Sequence, residues 1–159
     1  MSTSSTPGPT TAPKTSQQPE QHGRIVVGVD GSESSIDALR LAVRTAQAFG
    51  TSLEAIAAWS YPAGAEVALL AGWSPEEDAR QILEDAAQEV FGGRRPSWFS
   101  VTTVPGSAAR ALIDESKDAE MLVVGSRGHG GFAGLLLGSV SATCAEHAHC
   151  PVLIFRPTA

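Results

Sequence analysis

Residues 125–141 read GSRGHGGFAGLLLGSVS and follow directly on the apolar run MLVV at 121–124. A short, wholly apolar run that ends in a glycine-rich segment is the pattern of a buried strand delivering its chain into a loop. Inside the loop Gly125, Gly128, Gly138 and Ser139 are small, and a backbone without Cβ approaches an anion closely and turns its amides toward it. The pattern predicts a helix over 139–147, whose free N–H groups and positive dipole end complete an anion site.

Working outward, the chain alternates strand and helix patterns. IVVGV at 25–29 is a β-branched run covered on both faces, ending in Asp30-Gly31-Ser32, a turn suited to capping the next helix. There Ile36, Leu39, Ala42, Val43 and Ala46 recur at helical spacing until Gly50 stops the helix. A second strand is predicted over 53–59 and an apolar but irregular connection over 60–73. Ser74 then caps a helix, with Pro75 in its first position and Glu77 placed for a capping box. Ile82, Leu83, Ala86 and Val90 form the inner face of that helix, and Gly92-Gly93 ends it. A third strand is predicted over 98–104. Ser107 is placed to cap a helix running to about 116, with Ala108, Ala111 and Leu112 inward, and VLIF at 152–155 is the fifth strand. Strands separated by helices imply right-handed crossovers and parallel pairing. The expectation is therefore an α/β, doubly wound, five-stranded parallel sheet in the order 3-2-1-4-5. That order puts the ends of strands one and four side by side at the switch point, where ligands of open α/β sheets bind. Asp30 leaves one end and Gly125 the other.

The spacing Gly125-x-x-Gly128, nine residues, then Gly138-Ser139 resembles the G-2x-G-9x-G-S/T nucleotide signature of the universal stress protein family. VGVDGS at 27–32, VVGSRG at 123–128 and HCPVLIF at 149–155 are similar to further blocks of that family, so the likeness covers 24–157. It implies a Rossmann-like fold of the adenine nucleotide alpha hydrolase-like type, ATP as ligand with Mg2+ as a possible companion, and a homodimer. Carried over by position, it implies that Gly28, Val29 and Asp30 hold the adenosine part and that Ala58 packs beside the base. Val124, Gly125 and Gly128 would line the ribose and phosphate side, and Gly138, Ser139, Val140 and Ser141 would give amides and hydroxyls to the phosphates. The residue chemistry agrees. An ionised Asp30 only accepts hydrogen bonds and suits ribose hydroxyls or a base amino group, whereas Ser139 and Ser141 are neutral donors at a helix start. Arg127 and His129 lie in the loop either as positive charge for phosphates or as solvent-facing residues. A P-loop needs a lysine after its second glycine, and a dinucleotide fingerprint needs G-x-G-x-x-G after the first strand; neither is present.

Composition limits the function classes. A chain of 159 residues with 42% hydrophobic residues buries an ordinary core as a single domain over 24–159, after a polar Ser/Thr/Pro/Gln tail over 1–23 expected to be disordered. A net charge of -6 argues against general nucleic-acid binding, and no run approaches the roughly 18 apolar residues of a membrane span. Two cysteines and no apolar leader segment place the chain in the cytoplasm by expectation. The string CAEHAHC at 144–150 offers two thiols and two imidazoles, but its spacing fits no common zinc pattern, and Cys144 reads as a small core residue. The loop over 60–73 places Tyr61 or Trp73 over the nucleotide pocket, or else folds into a satellite apolar cluster. VLIF lies at a sheet edge, the expected dimer seam.

The expected function is therefore an ATP-binding regulatory or protective module with no catalytic residues assigned. Two rivals stand beside it. One is a slow ATPase or self-phosphorylating protein using Ser139 or Ser141. The other is a nucleotide-independent dimeric interaction protein.

Overall fold

Val26 and Val27 are neighbours on one strand, point to opposite faces, and are both fully buried, so the strand that carries them must be covered on both sides. The computed structural model describes residues 23–130 and 134–158, so the tail expected over 1–23 lies, but for Gly23, outside the described residues. Five strands, β1 (Arg24–Gly28), β2 (Ser52–Trp59), β3 (Phe99–Pro105), β4 (Met121–Gly125) and β5 (Val152–Phe155), form one sheet in the order β3-β2-β1-β4-β5. Every pairing is parallel, with Val27 opposite both Ala55 and Val123. The parallel α/β sheet is as the alternating pattern predicted, and its strand order is the doubly wound one expected for such a sheet.

Helices α1 (Glu33–Phe49) and α3 (Pro75–Phe91) cover one face, burying Leu39, Leu53, Leu83 and Val27 in a common core. Helices α4 (Ala108–Glu115) and α5 (Ser139–His147) cover the other face through Leu112, Leu122, Ile56 and Cys144. Burial of each such leucine contributes about 1.5–3 kcal/mol. The helix stops follow the sequence: Gly50 and Gly92 both adopt left-handed φ, 65° and 61°, and donate back to Ala46 and Gln88. Ser74 Oγ accepts the Glu77 N–H at 3.3 Å, the first half of the expected capping box.

Three local expectations change. The connection after β2 is not wholly irregular but carries the five-residue helix α2 (Glu66–Leu70), which has no buried residue; Val67 and Leu70 project into solvent. Ser107 holds N-cap geometry without a side-chain cap bond, and α4 stops at Glu115 and tightens into a 3-10 turn over Ser116–Asp118. Strands β1 and β3 are each displaced by one residue from their expected ranges, and β2 starts one residue earlier than expected. A polar cluster unforeseen in the pattern sits beneath the α4 face. Arg24 pairs with Glu54 and donates to the Glu115 side chain at 3.1 Å and to its carbonyl at 3.0 Å.

Candidate functional site

The site begins where β1 stops pairing. The Val29 N–H still donates to Ile56 O at 2.8 Å, after which Asp30 leaves the sheet and Gly31, at φ 83°, turns the chain into α1. Ser32 caps α1 by accepting the Ser35 N–H at 3.2 Å. The same turn orients Asp30: its Oδ1 accepts the Ser32 N–H at 2.9 Å and the Ser32 hydroxyl at 2.5 Å. Its Oδ2 accepts the His129 N–H at 3.2 Å. Partial burial opposes ionisation of Asp30, but the hydrogen bonds from Ser32, Ser35 and His129 together hold its carboxyl below the ordinary carboxylate range.

The second wall is the loop after β4. Ser126 N–H donates to Phe155 O at 2.7 Å, and Gly138 N–H returns to Ser126 O at 2.6 Å, so the loop leaves and re-enters at one residue. Gly138 is then the N-cap of α5, whose first internal bond runs from Ala142 N–H to Gly138 O at 3.0 Å. The N–H groups of Ser139, Val140 and Ser141 come before that bond and have no carbonyl one turn behind them within the helix. Ser141 is buried, and its hydroxyl lies 3.0 Å from both Ser126 O and Gly138 O. The hydroxyl expected to serve a ligand is thus engaged by the loop's own carbonyls, which it braces. Ser139 is exposed. Arg127 donates to Leu135 O at 3.2 Å across the loop.

Between these walls lies a cavity of about 420 Å3. Gly28, Val29 and Asp30 line it from β1, and Ala58 lines it from the end of β2. Val124 and Gly125 line it from β4, Arg127 and Gly128 from the loop, and Gly138, Ser139, Val140 and Ser141 from α5. All the residues expected at the site thus surround one cavity. The sequence reading missed its apolar side walls, Ala79 and Ile82 from α3 and Ala108 and Leu112 from α4. Their only signal was that they are small or inward-facing on helices that end at the same side of the sheet. Tyr61 and Trp73 are not on the lining: Tyr61 packs edge-on against Trp59 at 5.5 Å, and Trp73 Nε1 donates to Asp78 at 2.7 Å.

The glycines divide by role. A Cβ on Gly128 would stand 2.6 Å from Asp30 Oδ2, so that glycine is what lets the loop reach the carboxylate. A Cβ on Gly125 would stand 2.5 Å from Ser34 Oγ and 2.7 Å from Ser34 O, so Gly125 is required by the packing of α1 on β4 whatever the cavity holds. A Cβ on Gly138 would meet nothing closer than 3.4 Å.

The model of the "Universal stress protein family" matches residues 22–156 of the chain. The chain belongs to the universal stress protein family. Universal stress protein Rv2623 of Mycobacterium tuberculosis is 36% identical over 140 residues, covering 86% of this chain and 46% of the relative. The chain therefore spans about half the length of the curated relatives it matches. Among solved structures, the universal stress protein UspA from Lactobacillus plantarum aligns at TM-score 0.71 with 22% identity, covering 86% of this chain and 99% of that one, a likeness of fold. A universal stress protein solved in complex with cAMP aligns at TM-score 0.62 with 28% identity, covering 87% of this chain and all of that one.

Whether this universal stress protein chain suits a protein-held magnesium ion is decided by its donors. Magnesium is ordinarily held by one or two carboxylates together with waters and phosphates. Residues 125–141 contain no Asp or Glu, and Asp30 is the single carboxylate among the described residues that line the cavity. Both of its oxygens already accept hydrogen bonds. The residues present do not fit a magnesium ion held by the protein. In the CAEHAHC segment, Cys144 is fully buried against the α4 face while His147 and His149 are exposed, and no three His, Cys, Asp or Glu side chains come together as a metal site among the described residues. Burial pushes the Cys144 thiol up to about 11.

Proposed function

We propose that the cavity binds an adenine nucleotide, with ATP as its ligand, and that the protein is a nucleotide-dependent regulatory module of the stress response rather than an enzyme. One observation carries the reading. At the switch point of the sheet, an ionised, acceptor-only Asp30 and the open N–H groups of α5 face one cavity from adjacent strand ends. Asp30 takes ribose hydroxyls or the base amino group, Ala58 packs beside the base, and the amides of Ser139, Val140 and Ser141 take phosphate oxygens, with Arg127 adding charge. The side walls from Ile56, Ala108 and Leu112 give the apolar enclosure that a purine needs. The solved relative in complex with cAMP supports an adenine nucleotide as the ligand class.

Hydrolysis needs a base and an oriented water at the phosphate end, and the loop supplies no carboxylate for either. The exposed Ser139 favours a second reading, self-phosphorylation at that hydroxyl, over modification of the braced Ser141. Strand β5 is at the sheet edge, which supports a homodimer joined there; the proposed location is the cytoplasm. Calorimetric titration of the purified chain with ATP tests the reading. Saturable one-site binding supports it, and absence of heat or competition by any adenine nucleotide contradicts it.

A further inference from the structure

Resting on that nucleotide reading, we infer that the site takes its nucleotide free of divalent metal, so that Mg2+ competes with the protein for the phosphates instead of bridging them to it.

The inference follows from how charge is distributed around the cavity. At the α5 end of the cavity stand the Arg127 guanidinium and the open N–H groups that begin α5, and no carboxylate occurs anywhere in residues 125–141. Asp30, at the end of β1, is bound by the Ser32 N–H, the Ser32 hydroxyl and the His129 N–H. One carboxylate that already accepts three hydrogen bonds is all the anionic charge the described lining offers a metal. A P-loop protein holds magnesium with a hydroxyl as well as a carboxylate, and here the Ser141 hydroxyl is turned inward to Ser126 O and Gly138 O. Only Ser139 remains, a single neutral oxygen that offers nothing against the metal's charge. Arg127 and the backbone N–H groups of α5 are donors only, which bind phosphate oxygens and not a cation. Magnesium on the phosphates removes two of the negative charges that these donors attract and occupies oxygens they need. The favoured ligand class is the metal-free adenine nucleotide, and monophosphates, which hold magnesium weakly, escape the competition.

Titration of the full chain with ATP in EDTA and again in excess MgCl2, with AMP in both buffers as the second ligand, tests this. The expected result is ATP binding in EDTA that weakens about tenfold in magnesium, the loss of one charge-assisted hydrogen bond, with AMP affinity nearly unchanged. Arg127→Gln is expected to weaken ATP in EDTA by about tenfold, to narrow the difference between the two ATP titrations, and to leave AMP much less affected. ATP binding that requires magnesium and vanishes in EDTA overturns the inference while leaving the nucleotide reading intact. Failure of ATP and AMP alike in both buffers overturns the nucleotide reading itself.

Discussion

Asp30 Oδ2 accepts the His129 backbone N–H at 3.2 Å, across 99 positions of sequence, and so ties the end of β1 to the loop that follows β4. The contact exists because parallel crossovers bring β1 and β4 side by side, and because Gly128 has no Cβ to hold the loop off the carboxylate. One side chain thereby serves both walls: it helps shape the cavity and offers its remaining acceptor capacity to whatever the cavity holds.

Gly128→Ala puts a methyl group 2.6 Å from Asp30 Oδ2 and forces loop and carboxylate apart. The fold is expected to persist, since residue 128 is exposed, while nucleotide affinity falls at least about tenfold, the equivalent of one charge-assisted hydrogen bond. Circular dichroism alongside calorimetry checks it; full affinity in the folded variant would show that the tether is irrelevant to binding.

Gly125→Ala is expected to behave in the opposite way. Its methyl group meets Ser34 backbone at 2.7 Å, which cannot be relieved by a rotamer change, so stability falls by about 1–3 kcal/mol as α1 is pushed from β4. Urea unfolding measures this. A variant as stable as the parent would contradict the packing role.

Asp30→Asn carries a pH signature. The folded carboxyl lies below its ordinary value of about 3.9, so its contribution is present above that pH and lost as pH falls through the depressed folded value. The melting temperature of Asp30→Asn is expected to lie below the parent's at neutral pH, with the gap closing under acid. An unchanged gap down to strongly acid pH would place the stabilisation elsewhere.

Cys144, fully buried and with its thiol pushed up to about 11, is expected to resist alkylation in the folded protein at pH 8 and to react on unfolding. Mass spectrometry after iodoacetamide treatment reads this directly. Rapid labelling of native Cys144 would contradict its place in the α4-face core.

The alternation of strands and helices was legible because local signals agreed, β-branched runs, helix caps and glycine stops each implying it, and the pairing of Asp30 with the glycine loop followed once the common doubly wound order was assumed. The roles of individual glycines were not legible. Gly125 and Gly128 look equivalent in a motif, yet one yields to Ser34 on α1 and the other to Asp30, a distinction set by which element packs behind each. The inward turn of the Ser141 hydroxyl was hidden for the same reason, since it depends on Ser126 O lying within reach across the loop. Ala79 and Leu112 carried ordinary helix-face patterns and became cavity walls only through the crossing of α3 and α4 over the sheet ends. Helix α2 has no buried side chain and hence no periodic apolar signal to announce it.

The most direct test of the central claim is calorimetric titration of the parent and of Gly138→Leu with ATP. A Cβ at 138 fits without a clash, so the variant is expected to fold, while its longer side chain at the N-cap of α5 blocks approach to the amides of Ser139, Val140 and Ser141. The account predicts saturable binding by the parent and a loss of at least about a hundredfold in the variant, the equivalent of two or more charge-assisted hydrogen bonds. Equal affinity in the two proteins would contradict it.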